Sequence, residues 1–221
     1  MALCGGKKMI SRMRFLLMPA IAAAMLAAPS GDVHAARAQG DWPCVQREVP
    51  QISAGMVWTG GSINADDTSW TAEPRVAPKV LDVTSRRKTA EEAVAVIDEF
   101  AAGLKEDRPR LLTALFTGTY QRINAERTQI MAGIKRYARK QSALAELIKD
   151  RSAQRAELSR KALPTDQDRR KLDELQEQIT WDTRIYEERD HSLRYVCEVP
   201  VLLEQRLFQI GRHISQLVSQ N

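Results

Sequence analysis

The chain has 221 residues, of which 43% are hydrophobic and only 5% aromatic, and its formal net charge is +5. This length accommodates one domain with a substantial core, and the low aromatic content favours helices over sheets. Outside one N-terminal run, no apolar stretch approaches the roughly 20 residues of a membrane-spanning helix. We therefore expect no transmembrane segment in the mature chain.

The first 38 residues have the pattern of a secretory signal peptide. Basic residues precede an apolar run of about 14 residues, and small residues follow it. Cleavage after Ala35 and cleavage after Ala38 both fit the small-x-small pattern, and we prefer the second. Met9 and Met13 are alternative start codons. A retained N-terminal anchor is the alternative, which the short apolar run disfavours. The prediction is export to the periplasm through a Sec-type signal.

Removal of this segment changes the charge of the molecule. Residues 1–38 hold five of the 33 basic residues and one of the 28 acids, so the mature chain keeps 28 bases and 27 acids, a net charge of +1. A nearly neutral chain has no whole-molecule attraction for a phosphate backbone. Nucleic acid is therefore not an expected partner.

The cysteines predict a disulfide. Cys4 lies in the signal peptide, which leaves Cys44 and Cys197 in an oxidising compartment, where one intrachain bridge is the expected state. Redox or metal chemistry at Cys44 is the alternative, although redox sites normally pair cysteines two residues apart. A lipid anchor is disfavoured because the residues before Cys44 are not small and apolar.

Residues 39–88 are predicted to be an irregular segment. The stretch 58–70 is rich in Gly, Ser, Asn and Asp, which favour turns. Three tryptophans at uneven spacing, Trp42, Trp58 and Trp70, are interpreted as anchors that pin this segment onto a helical surface. A short helix is expected at 77–84.

From Thr89 onwards the pattern is helical, and we assign 89–221 to a helical bundle or hairpin domain. Thr89 and Glu92 have the spacing of a capping box, which predicts the start of a helix that ends near residue 104. A second helix begins near Pro109, and its apolar stripe continues for many turns.

The stretch 163–168 interrupts the stripe, and Thr165 is the expected N-cap of another long helix. Apolar residues of that helix recur at alternating steps of three and four, the heptad pattern of helices that pack along a seam. Pro200 is expected to interrupt and bend the helix. With the two arms paired about residue 164, Cys197 lies opposite Ala132.

The predicted fold is all-α: a long antiparallel, coiled-coil-like helical hairpin with one or two shorter helices at its base and an irregular N-terminal wrap. The residues at 149–171 are mostly charged, so a thin two-helix seam is expected near the tip. Asp182 and Arg189 on the seam are predicted either to specify partners or to pair across it.

One acid–histidine pattern suggests a metal site. Glu188 and His191 have the i, i+3 spacing found in di-iron bundles, and Glu126 is a further candidate ligand. Such sites need a second pair and additional carboxylates, so a solvated helix surface is the competing interpretation. We assign no metal and no cofactor to the chain.

Three basic runs, at 86–88, 135–140 and 169–171, are interpreted as solvated helix faces, with binding of an anionic surface as the alternative. The sequence contains no nucleophile–histidine motif, no glycine-rich phosphate loop and no HExxH. The chain is therefore predicted not to be an enzyme.

Three functions follow from this pattern. The first is a non-enzymatic accessory, scaffold or adaptor that acts through protein–protein contacts, with an unknown protein partner or self-association through the helical arm. The second is a chaperone-like holdase whose arms grip unfolded chains. The third is a metal-binding helical bundle.

Overall fold

The computed structural model describes residues 41–220, and every regular element in that range is helical. The predicted signal peptide, together with Cys4, lies outside the described residues. The elements in chain order are α1 (Ala54–Val57), a 3-10 helix (Ser69–Ala72), α2 (Ala77–Val83), α3 (Ala90–Gly103), α4 (Arg108–Ser159) and α5 (Asp166–Ser219). Helices α4 and α5 pack together as a long hairpin with the shorter helices beside it, which confirms the predicted fold class.

Helix α3 begins at the predicted capping box. The Thr89 hydroxyl accepts a hydrogen bond from the Glu92 amide at 3.2 Å, and the Glu92 carboxylate accepts one from the Thr89 amide at 2.7 Å. These bonds satisfy amide groups that the first turn of a helix otherwise leaves unpaired. The helix then buries Ala93, Ile97 and Phe100 in the core.

Polar contacts fix the turn between α4 and α5. Thr165 and Asp168 form a second capping box at the start of α5, as the sequence predicts. The Lys161 ammonium donates a hydrogen bond to the Asp168 carboxylate at 2.7 Å. This bond, followed by those from Thr165, lowers the pKa of Asp168 to about 2. Leu163 in the same turn is 90% exposed, so burial of apolar surface contributes little to the stability of the turn.

Two hydrogen bonds across the seam set the register of the hairpin. The Tyr137 hydroxyl donates to the Arg189 carbonyl at 3.3 Å, and the Gln141 side-chain amide donates to the Tyr186 carbonyl at 3.0 Å. Residue 141 of α4 is therefore level with residue 186 of α5. Seam positions recur at steps of three and four from these residues, as expected for heptad packing.

The base of the hairpin is covered on two sides. Asn124 contacts the N-terminal segment, because its side-chain oxygen accepts a hydrogen bond from the Ile52 amide at 3.1 Å. Glu126 lies two residues after Asn124, which corresponds to a rotation of about 200° around α4. It forms an ion pair with Arg86, which follows α2. Helices α2 and α3 thus lie on one side of the hairpin, and the segment before α1 lies on the other.

Two glycines allow the N-terminal segment to approach the hairpin closely. A Cβ at Gly211 would overlap the Val57 carbonyl oxygen, and a Cβ at Gly118 would lie 2.7 Å from the Trp70 ring. Trp58 stacks on Phe116 with ring centroids 4.2 Å apart. The tryptophans therefore anchor this segment, as the sequence predicts.

The expected interruption at Pro200 does not occur, because α5 continues through it from Asp166 to Ser219. Proline removes a single amide donor from the helix ladder. Pro200 is buried, and Leu203 and Leu207 beyond it are buried in the core of the base. Packing on both sides of the missing bond keeps the helix intact.

Residues 41–220 belong to one compact unit, so the described part of the predicted irregular segment packs with the hairpin instead of forming a body of its own. Within residues 41–220, no helix is both long enough and apolar enough to cross a bilayer.

Candidate functional site

Residues 41–53, which we call the strap, run along one groove of the hairpin. Cys44 and Cys197 form the predicted disulfide, at a sequence separation of 153. Trp42 is buried beside this bridge, against Met131 and Ile134 of α4. The bridge therefore ties the strap to α5, and the strap reaches the level on α4 that the sequence predicts.

Ion pairs hold the outer side of the strap. Asp41 accepts a hydrogen bond from the Arg139 guanidinium at 2.7 Å, and Glu48 forms an ion pair with Lys135. Both basic residues come from the run 135–140, so this part of the run contacts the strap.

Three polar side chains of α4 bind the backbone of the strap. Asn124 accepts from the Ile52 amide, and the Tyr120 hydroxyl donates to the Ile52 carbonyl at 2.8 Å. The Arg127 guanidinium, only 4% exposed, donates to the Val49 carbonyl at 2.5 Å. Burial lowers the pKa of Arg127, and the carboxylate of Glu204 at 3.7 Å opposes that effect.

Arg206 has the same role at the end of α2. Its guanidinium donates to the carbonyls of Val83 at 2.9 Å, Ser85 at 3.2 Å and Lys88 at 2.5 Å. A cation suits the C-terminal end of a helix, where backbone carbonyls lack helical partners. Arg206 therefore fixes the α2–α3 connection to α5.

The second groove of the hairpin is uncovered by the described residues above the level of α2 and α3. We call it the open face; it extends over residues 130–147 of α4 and 178–199 of α5. Part of this surface is a cavity of about 310 Å³, with an apolar lining of Ile130, Gly133, Ile134, Tyr137, Leu193 and Val196 beside Ser192.

Large apolar side chains of the open face are exposed to solvent. Trp181 is 63% exposed and Tyr195 is 62% exposed, while Leu147 and Val196 are also exposed. The register of the hairpin places Leu147 level with residue 180, so Leu147 and Trp181 stand on opposite rims at the same height. Trp181, Tyr195 and Leu147 lie outside the lining of the apolar cavity, and their exposure is additional to it.

The two rims of the open face differ in charge. On α4, Arg136 and Lys140 are exposed and form no ion pair with any residue in 41–220.

On α5, a column of residues at seven-residue intervals consists of Glu174, Trp181, Glu188 and Tyr195. Both carboxylates of the column are on the surface, where Lys171 donates to Glu174 and Arg184 to Glu188, each at 2.9 Å. The α4 rim is therefore basic, whereas the two acids of the α5 rim are paired with basic side chains of the same helix.

A second apolar cleft lies at the base, with a volume of about 510 Å³. Met56 of α1, which is 66% exposed, and Phe208 of α5 form its opposite walls, and Ile52 and Val201 contribute further apolar surface. Glu204 is the charged residue of its lining.

The candidate metal ligands do not converge. Glu126 pairs with Arg86 at 3.3 Å, near the base, whereas Glu188 and His191 lie about 13 residues, or roughly 20 Å, further along the arm. His191 packs edge-on against Tyr195, with centroids 5.3 Å apart. Among residues 41–220 no cluster of three or more metal-ligating side chains is present.

Ion pairs also occupy the other basic runs. Arg86 and Lys88 bind Glu126 and Asp82, and Lys171 binds Glu174. On the seam, Asp182 pairs with Arg151 of α4, one of the two roles expected for it. These charges are largely satisfied within the molecule.

A scan against protein-family models and searches of curated proteins and solved structures found no match to this chain. Function is therefore inferred from the surface chemistry of the molecule. The open face combines exposed aromatic rings, an apolar groove and charged rims, whereas the strap groove is filled by the chain itself.

Proposed function

We propose that this protein is an exported, non-enzymatic adaptor or scaffold that acts through protein–protein contacts in the periplasm. The observation that carries the proposal is the open face, where Trp181, Tyr195 and Leu147 are exposed along one groove of a two-helix arm. Exposed large apolar side chains near an apolar cavity are typical of interaction sites, and an exposed groove between helices suits docking of a further helix.

Export is supported by two features. The N-terminal 38 residues have the pattern of a signal peptide. The Cys44–Cys197 disulfide also fits an oxidising compartment such as the periplasm.

The test is affinity capture from the native periplasm under non-reducing conditions. We expect a stoichiometric partner with the unaltered protein and its loss with the double variant Leu147→Ala, Trp181→Ala, because truncation of aromatic anchors commonly weakens binding by about tenfold or more. Leu163→Ala is the control, since Leu163 is also an exposed apolar residue but lies at the tip, away from the open face. Retention of the partner by the double variant would contradict the assignment to this face.

A holdase is the second candidate, and the base cleft favours it. The flexible side chain of Met56 lines this cleft of about 510 Å³ together with Phe208, and a methionine side chain adapts to apolar partners of varied shape. This function predicts capture of many unrelated unfolded proteins and suppression of their aggregation. Met56→Ser with Phe208→Ser would abolish both effects and leave capture through the open face unchanged.

A further inference from the structure

We propose that the open face binds a single amphipathic helix of a different protein, with an acidic flank against α4. This inference rests on the proposed function and specifies its partner. The groove between Tyr137 and Val196 receives the apolar stripe of the helix, and Trp181 and Tyr195 close over its side. The bound helix continues the layer that α2 and α3 form at the base.

The length of the groove sets the length of the helix. The open face runs from residue 130 to residue 147 of α4, with a further turn available before Arg151, which is engaged by Asp182. At 1.5 Å per residue this span is about 30 Å, which corresponds to a helix of about 20 residues. At the lower end, Arg86 and Glu126 pair across the junction with α2 and stop the groove.

The basic α4 rim sets the charge pattern of the helix. Arg136 and Lys140 on α4 have no acidic partner within residues 41–220, so carboxylates on the near flank of the bound helix supply the missing counter-charges. On the opposite rim, Glu188 accepts a hydrogen bond from Arg184, and its carboxylate is exposed to solvent. Because Arg184 already supplies the counter-charge of Glu188, this rim sets no charge on the far flank of the helix.

A second copy of this chain fits the open face poorly in both two-fold arrangements. With the arms parallel, the α2–α3 layers of the two copies meet at the base. Each layer is one helix thick, roughly 8–10 Å, so together they hold the arms apart. With the arms antiparallel, α4 faces α4, and the basic rim with Arg136 and Lys140 meets another basic rim. A heterologous helix meets neither obstacle.

The experiment is photo-crosslinking in the native periplasm with the full chain. A photoreactive phenylalanine replaces Ala143 on the α4 rim or Tyr195 on the α5 rim, both exposed positions. The control position is Ser152, which is on the same helix as Ala143 but faces the strap side of the hairpin. We expect one shared adduct from Ala143 and Tyr195, and none from Ser152.

Mass spectrometry of the adduct supplies the decisive readout. Both positions are expected to reach one amphipathic segment of the partner, with Asp or Glu on the flank reached from Ala143. Arg136→Glu with Lys140→Glu should lower the adduct yield about three- to tenfold, whereas Arg170→Glu, an exposed charge near the tip, should leave it unchanged.

Several outcomes would overturn the inference. An adduct of two copies of this chain, equal labelling from Ser152, or a mapped segment without an acidic flank each contradicts it. If no adduct forms but a stoichiometric partner is captured through another surface, this inference is wrong and the proposed function still holds. Absence of any adduct and of any captured partner refutes both.

Discussion

At the scale of single residues, two arginines have roles that their sequence positions do not indicate. Arg127 and Arg206 look like ordinary charges on a long helix, yet each donates to backbone carbonyls of the N-terminal part of the chain. A guanidinium offers five donors in a fixed fork, so it can bind several carbonyls of an irregular segment at once. The loop conformations that supply those carbonyls are set by distant packing, which sequence periodicity does not encode.

Gly211 is a second residue whose role depends on a distant contact. The Val57 carbonyl packs directly on its Cα, and a Cβ would overlap that oxygen. Gly211→Ala should therefore lower the free energy of unfolding by about 1–3 kcal/mol, the usual cost of overpacking, despite the better helix propensity of alanine. Urea denaturation measures the change.

Gly103→Ala is the control for that substitution, because a Cβ at Gly103 has no neighbouring atom within 4 Å. It should be neutral or slightly stabilising, by up to about 1 kcal/mol. If the two alanine variants had equal stability, close approach of Val57 to α5 would not be the reason for the glycine.

At the scale of elements, local signals predicted the helices well. The capping boxes at Thr89 and Thr165 involve residues three apart, so their hydrogen bonds follow from the sequence alone. The heptad steps likewise predicted the seam and the disulfide's level on the arm. Pro200 does not end α5, which continues to Ser219, because burial of the surrounding turns outweighs one missing hydrogen bond.

The open face was predictable only in part. The sequence indicates exposed helical surface on a thin arm, but which groove stays empty depends on the path of the strap and of α2. Trp181 does not lie on the predicted seam, and the seven-residue intervals between Glu174, Trp181, Glu188 and Tyr195 gain meaning once the strap is seen in the other groove. Those seven-residue intervals are the sequence signal that predicts the open face.

The strap is the element whose attachment is easiest to test. Closure of a loop of about 150 residues restricts the unfolded chain, so Cys44→Ser with Cys197→Ser should lower the free energy of unfolding by about 2–5 kcal/mol. Equilibrium denaturation of the oxidised protein and the double variant gives the difference. Reductant should lower the stability of the unaltered protein by a similar amount and leave the variant unaffected. Equal stability of the two proteins would show that the other contacts of the strap suffice.

At the scale of the whole molecule, burial is distributed unevenly. Fully buried side chains such as Leu112, Phe116, Leu207 and Ile214 concentrate at the base, where α1, α2 and α3 cover the hairpin. Above Gln141, Leu175 is the one buried apolar residue within the described part of the arm. The arm beyond the strap therefore depends on a narrow seam, helix capping and polar contacts such as that between Arg151 and Asp182.

This gradient predicts a gradient of hydrogen exchange in the full chain. Amides at 143–158 and 167–182 should exchange roughly a hundredfold faster than those at 111–123 and 203–214, because opening the arm exposes little apolar surface whereas opening the base exposes the core. Mass spectrometry of peptic fragments measures both sets in one sample, so the base serves as the internal control. Uniform protection along α4 and α5 would contradict the gradient and would indicate that the hairpin opens as one cooperative unit. A helix bound to the open face adds apolar contacts at Leu147 and Trp181, so protection of the arm should rise on binding while that of the base stays constant.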